Sequence, residues 1–162
     1  ANRGILSGKG DGMFYPGASM LREEFVKVIA AACKIDISSE HADFSDVADG
    51  AWYAPYIAAC VNADIVNGTG DGRFGIGATI TREDAAVMIV RALEYAGVES
   101  ASAEENFADE REISSYAQEA VKKLRKLGII SGDDNGNFKP KAAISRAEVS
   151  KIIYGMLDII GG

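Results

Sequence analysis

The feature that most restricts the fold of this chain is a phrase that occurs three times in register. A glycine is followed six residues later by a phenylalanine and eight residues beyond that by an arginine opening an apolar helix: Gly8, Phe14, Arg22; Gly68, Phe74, Arg82; Gly132, Phe138, Arg146. The arginines are spaced 60 and then 64 residues apart, the mark of one supersecondary unit copied along the chain. Function is therefore expected at equivalent points of each copy.

The apolar positions after each arginine agree in phase. Phe25, Val28, Ile29, Ala32 and Cys33 align with Ala85, Met88, Ile89, Ala92 and Leu93, and with Val149, Ile152, Ile153, Met156 and Leu157. Steps of three and four predict three helices that bury one comparable face. Two of their starts carry a capping box, Thr81 to Asp84 and Ser145 to Glu148, while Leu21 breaks the box in the first. The second and third units open with Phe44-Ser45-Asp46 and Phe107-Ala108-Asp109, each leading into another helical stripe, roughly 52–63 and 116–127. Asp46 or Asp49 is expected to cap the first of these, whose apolar stripe runs through Trp52, Tyr56, Ile57, Cys60 and Val61.

A five-residue turn follows each stripe at 64–68 and 128–132, with its counterpart at 4–8. Its glycines end helices and permit positive φ, its two apolar residues can tuck underneath, and a polar residue (Ser7, Asn67 or Ser131) is left on the rim. A glycine-rich loop then brings in the phenylalanine, expected to act as an aromatic plug. The reading is one all-α domain of three helix-loop-helix repeats with pseudo-threefold repetition: a partial repeat at 1–42, which opens at its turn, and full repeats at 43–104 and 105–162.

Composition excludes several classes. A formal charge of −7 with no dense basic run repels a nucleic-acid backbone. No stretch reaches the about 20 apolar residues that span a bilayer. Cys33 and Cys60 align with leucines and read as core, and neither they nor the acidic loops at 69–72 and 133–136 have the ligand spacing of a zinc or calcium site. No metal or cofactor is expected. His41 has no serine or cysteine spaced as a partner, and no pair of placed carboxylates stands out for glycan cleavage, so the chain is not read as an enzyme.

The order Phe-x-Asp-Val, a tryptophan at a helix head, Gly-Ile-x-x-Gly, a glycine-rich loop with phenylalanine, and Ile80-Thr81-Arg82-Glu83-Asp84 or Ile144-Ser145-Arg146-Ala147-Glu148 resembles the S-layer homology repeat. The resemblance covers nearly the whole chain. It implies a three-pronged spindle with grooves between neighbouring repeats, located extracellularly at the bacterial cell wall or S-layer surface. It further implies non-covalent anchoring to a secondary cell-wall polysaccharide, commonly through pyruvylated N-acetylmannosamine. The binding residues it implies are Arg22 with Ser7, Arg82 with Asn67 and Arg146 with Ser131, facing Gly68, Gly132 and Gly8 respectively.

The residues themselves leave two roles open for the arginines. A cation at a helix N-terminus opposes the macrodipole, and one compensation is a bound carboxylate that meets free backbone N–H groups together with the guanidinium. The other is an ion pair with Asp46, Asp109 or a first-turn glutamate that staples adjacent repeats. Trp52 likewise reads either as core or as a platform for a sugar ring. The missing leading helix of the first unit is expected to leave Phe25 and Ile29 partly uncovered, which favours, as a second reading, a protein-protein interaction or assembly module of the cell surface, with self-association through the incomplete first repeat.

Overall fold

The computed structural model describes residues 13–38 and 41–161; the expected site residues Ser7 and Gly8 lie outside them. The elements in order are α1 (Arg22–Ala32), α2 (Ala54–Asn62), α3 (Arg82–Tyr95), a 3-10 turn (Glu110–Glu112), α4 (Gln118–Lys126) and α5 (Arg146–Gly161). Among the described residues there is no strand, only three isolated bridges, and no helix long and apolar enough to cross a membrane.

Helices α1, α3 and α5 begin at the three arginines, as the spacing predicts. Their caps explain why. Thr81 Oγ1 accepts the Asp84 N–H at 3.2 Å. At Ser145 the exchange is reciprocal, the Ser145 N–H reaching Glu148 Oε2 at 2.8 Å while the Glu148 N–H reaches Ser145 Oγ at 3.2 Å. Leu21 has no oxygen to offer, yet half the box survives, because its N–H donates to Glu24 Oε2 at 3.0 Å.

The residue two before each arginine builds the axis. Met20 N–H donates to Ile144 O at 3.1 Å, Ile144 N–H to Ile80 O at 3.1 Å and Ile80 N–H to Met20 O at 3.0 Å, a closed ring of backbone bonds. The side chains of Met20, Ile80 and Ile144 are at most 1% exposed. This ring is the pseudo-threefold axis of an all-α spindle, with α1, α3 and α5 meeting around it and α2 packed on α1, α4 on α3.

Beneath the turns, Ile65 and Val66 are fully buried and Ile129 and Ile130 nearly so. Phe74 and Phe138 plug the loops, each against the phenylalanine that opens its own repeat: Phe44 lies 5.8 Å and Phe107 5.4 Å away between ring centroids. Phe14 is 36% exposed. Cys60 is fully buried and burial pushes its thiol up to about 12, so it behaves as a small core hydrophobe, as its alignment with leucine predicts.

Three expectations are corrected. Helices α2 and α4 begin two residues later than the periodicity implies, α2 with Pro55 in its first turn, so Trp52 and Tyr116 stand outside them. Neither Asp46 nor Asp49 caps α2, whose N-cap is Tyr53 without a side-chain bond. Asp46 instead accepts the N–H groups of Phe74, Gly75 and Ile76 at 2.7, 2.8 and 2.9 Å, and Asp109 those of Phe138 and Lys139 at 2.8 and 2.7 Å. Finally, Phe25 and Ile29 are fully buried, which removes the physical ground for self-association through them. A leading helix packs on the second helix of the preceding repeat, α2 on α1 and α4 on α3, where Ala30 and Val90 are 1% and 7% exposed; the equivalent residue of α5, Tyr154, is 71% exposed.

Candidate functional site

Each arginine reaches forward into the next repeat. Arg22 Nε donates to Phe74 O at 3.1 Å, Arg82 Nε to Phe138 O at 2.7 Å and Arg146 Nε to Phe14 O at 3.0 Å, closing the circle. Each guanidinium also lies over the ring of that phenylalanine, 5.1–5.2 Å from the centroid. A carboxylate at the third position of the next second helix completes the arrangement: Asp84 for Arg22 at 2.9 Å, Glu148 for Arg82, and Glu24 for Arg146 at 4.0 Å. Burial pushes the Glu148 carboxyl up, but the Ser145 bonds and Arg82 outweigh it and hold it below the ordinary glutamate range.

The arginines are therefore staples, with the acid drawn from the neighbouring helix and not from Asp46 or Asp109. Arg22 and Arg146 are only 7% and 4% exposed, while the Arg82 side chain keeps 15%. The first amides of these helices are not free either. Arg22, Arg82 and Arg146 N–H donate to Ala78, Ala142 and Ala18 O, each at 2.9 Å, and Glu83 and Ala147 N–H to Pro140 and Pro16 O, each at 3.0 Å. This corrects the expectation of open helix mouths, because loop carbonyls of the next repeat already occupy them. Any attraction for an anion rests on side-chain cations.

Grooves open beside the staples. That beside Arg22 holds about 440 Å³ between the 64–68 turn and α3, with Asn67, Gly68, Asp84, Val87, Arg91 and Tyr116 on its walls. That beside Arg82 holds about 320 Å³ between the 128–132 turn and α5, with Ser131, Gly132, Asp133, Lys139, Glu148 and Lys151. The polar turn residue beside each arginine thus comes from the following repeat: Asn67 joins Arg22 and Ser131 joins Arg82, a correction to the pairings Arg82 with Asn67 and Arg146 with Ser131. The glycines facing Arg22 and Arg82 are Gly68 and Gly132. Arg146 lies against Glu24 of α1, and its expected partner Gly8 falls outside the described residues.

Gly68 and Gly132 serve close approach, since neither has a positive φ, whereas Gly128 (+70°) and Asp64 (+56°) supply the left-handed turn. A Cβ on Gly68 would lie 2.5 Å from Arg73 O and 2.5 Å from Phe44 Cε1. Gly68→Ala is accordingly expected to cost about 2 kcal/mol and to lower the thermal midpoint by about 4–8 °C. Calorimetry that finds the midpoint unchanged would refute this account of the turn.

Trp52 is 53% exposed, packed edge-on against Tyr53 at 5.4 Å with Lys27 Nζ of α1 5.6 Å from its ring. It is not core. Its counterpart Tyr116 lines the Arg22 groove, donating from Oη to Asp84 Oδ1 at 2.7 Å and to Glu83 Oε1 at 3.2 Å. Glu83, 3% exposed, also receives Lys141 and Ser114, bonds that outweigh burial and keep it ionised. The sequence reading missed Arg91, Lys139 and Lys151. In the Asn67 orientation that satisfies its neighbours, Asn67 Oδ1 accepts from Arg91 Nη1 at 3.2 Å. The repeat alignment sets Arg91 against Ala31 and Gly155, Lys139 against Tyr15 and Gly75, and Lys151 against Lys27 and Val87, so it carried no signal for them.

A family model described as the S-layer homology domain matches residues 1–26, 43–86 and 106–150. An amylopullulanase of Thermoanaerobacterium thermosulfurigenes is 36% identical over 166 residues, covering 99% of this chain and 9% of that protein. An exoglucanase of Acetivibrio thermocellus is 36% identical over 98% of this chain and 15% of its own length. An S-layer protein of Bacillus thuringiensis subsp. finitimus is 30% identical, covering 93% of this chain and 18% of that protein. The chain spans less than a fifth of each of these relatives. With three matched segments falling on the three repeats around the axis, the chain belongs to the S-layer homology family.

Proposed function

We propose that this chain is a non-covalent anchor at the bacterial cell surface whose inter-repeat grooves bind an anionic secondary cell-wall polysaccharide of the pyruvylated N-acetylmannosamine type. Anchoring at the wall rests on family membership and on relatives that include S-layer proteins. The sugar rests on the grooves. The carrying observation is a local excess of positive charge in a chain of net −7: Arg22 and Arg91 against Asp84 in one groove, Arg82, Lys139 and Lys151 against Asp133 and Glu148 in the other.

Each groove joins that excess to a polar turn residue, Asn67 or Ser131, suited to a sugar hydroxyl. The exposed Trp52, beside Lys27 of α1, offers a ring on which a pyranose can stack. Screening beyond about 8 Å lets the local charge act although the whole chain repels anions. The reading gives the chain no catalytic role.

The test is a titration with purified wall polymer carrying its pyruvyl groups and with the same polymer after their removal. Binding is expected with the first, weakening as salt rises, together with amide-shift changes at Gly68 and Gly132. Equal binding of the two polymers would refute recognition of the pyruvyl carboxylate, and no binding of either would refute the anchor.

A further inference from the structure

Asparagine stands directly before glycine at two places in this chain, Asn67 before Gly68 and Asn135 before Gly136. With no side chain of its own, a glycine least hinders attack by its nitrogen on the carboxamide of the residue before it, the ring closure by which asparagine converts spontaneously to aspartate. The two pairs are held differently. Gly136 N–H donates to Asp133 O at 2.8 Å, so Asn135 is locked in a hydrogen-bonded turn. Gly68 N–H donates to nothing among the described residues, although the amides that flank this stretch are engaged, Val66 N–H by Cys60 O at 3.3 Å and Thr69 N–H by Arg73 O at 2.8 Å.

The fold keeps the first pair reactive. Gly68 cannot give way to a bulkier residue, because a Cβ there would lie 2.5 Å from both Arg73 O and Phe44 Cε1. Asn67 is exposed, so water reaches it. Its carboxamide oxygen accepts from Arg91 Nη1 at 3.2 Å, and a guanidinium at that point stabilises the negative oxygen that forms when the Gly68 nitrogen adds. The other copies carry Ser7 and Ser131 at this position, and serine cannot follow the same course.

We infer that Asn67 is a site of spontaneous deamidation, and that its conversion closes the Arg22 groove to an anionic sugar while the Arg82 groove, with Ser131, keeps its hold. The Gly68 nitrogen loses its proton and bonds to Asn67 Cγ, the Cγ–Nδ2 bond breaks, and the carboxamide nitrogen leaves with one added proton as ammonia. Water then opens the cyclic imide at either carbonyl, giving aspartate or isoaspartate with no change of oxidation state. Arg22 is already matched by Asp84 at 2.9 Å, which leaves Arg91 as the surplus cation of this groove, and the new carboxylate arises on the group that Arg91 touches. The surplus is cancelled. The closure rests on the groove-binding reading above, whereas the chemistry at Asn67 does not.

The test incubates the whole chain at neutral pH and follows both asparagines by peptide mass mapping, with isoaspartate separated from aspartate by chromatography. Asn67 is expected to convert about tenfold faster than Asn135, whose turn must first open, and faster still as pH rises, because the attacking nitrogen must lose its proton. Arg91→Ala is expected to slow the conversion several-fold. Samples drawn over time are titrated with pyruvylated N-acetylmannosamine as its methyl glycoside. Binding read at the Thr69 amide is expected to fall in step with conversion, and binding read at Gly132 to stay constant. Asn67→Asp is expected to weaken the Arg22 groove about tenfold from the start, and Asn67→Ser to keep its affinity throughout, both with the amides of Met20, Ile80 and Ile144 unshifted. Conversion of Asn67 no faster than Asn135 would overturn the site, acceleration by Arg91→Ala would overturn the part given to Arg91, and an Arg22 groove indifferent to Asn67→Asp would overturn the closure. Fresh protein that binds the sugar in neither groove would overturn groove binding and the closure together, while the mass map still decides the deamidation.

Discussion

Asp46→Ala is expected to lower stability by about 3 kcal/mol, which for a chain of this size is a fall of about 6–12 °C in thermal midpoint. The side chain is 11% exposed and accepts three consecutive backbone N–H groups, from Phe74, Gly75 and Ile76. Bonds to a charged acceptor are worth about 1.5–3 kcal/mol each when taken singly, but three on one carboxylate share its charge and do not add. Removing it leaves three loop amides without their acceptor and frees the segment that holds Phe74 in the core. Asp109→Ala, with two such bonds, is expected to cost less.

The same carboxylate gives the acid limb its sign. Burial raises the Asp46 pKa, but the N–H groups of Phe74, Ile76 and Gly75 outweigh it and hold the carboxyl below its ordinary value. A depressed folded pKa contributes stability that is complete above the unfolded value, about 3.9, and is lost as pH falls through the folded one. Melts of the parent between pH 5 and pH 2 are expected to drop steeply below about pH 4, and those of Asp46→Asn to start lower and drop less. Parallel curves for the two proteins would exclude Asp46 as a main source of acid sensitivity.

The second helices were legible because their signal is local. Phe25, Val28 and Ile29 and their counterparts fix a helical period, and the capping residues fix its start within one turn, so the three arginines fall at the first helical residue. The head of α2 was less legible. Trp52 continues an apolar pattern, yet Pro55 favours a helix beginning at its own turn, and an aromatic that belongs to the pattern stays half in solvent. The groove partners were not legible at all from order along the chain. Which turn faces Arg22 depends on the direction in which repeats succeed one another about the axis, a property of the backbone ring at Met20, Ile80 and Ile144. Glu24, Asp84 and Glu148 were visible as cap residues, but their pairing with an arginine of the preceding repeat is a long-range contact with no periodic trace.

Arg22→Ala is expected to cost about 3 kcal/mol even with no ligand present, because it removes a buried staple that joins two repeats. The Phe74 carbonyl loses its donor, the Phe74 ring its cation, and Asp84, 28% exposed, the charge it was set against. Arg22→Lys is expected to recover less than half of the loss, since one ammonium on a flexible stem cannot reach Phe74 O and Asp84 at the fixed angles of a guanidinium. A double-mutant cycle with Asp84→Ala, read by chemical denaturation, is expected to give a coupling of about 1–3 kcal/mol. A coupling near zero would show that Asp84 is satisfied by Tyr116 alone and that Arg22 is held only by Phe74. The cycle also decides how loss of wall binding in an arginine variant is to be read: with strong coupling, Arg22→Ala reshapes the groove before any sugar arrives, and the direct contribution of charge to binding is measured at Arg91, Lys139 and Lys151, which line the grooves without carrying the fold.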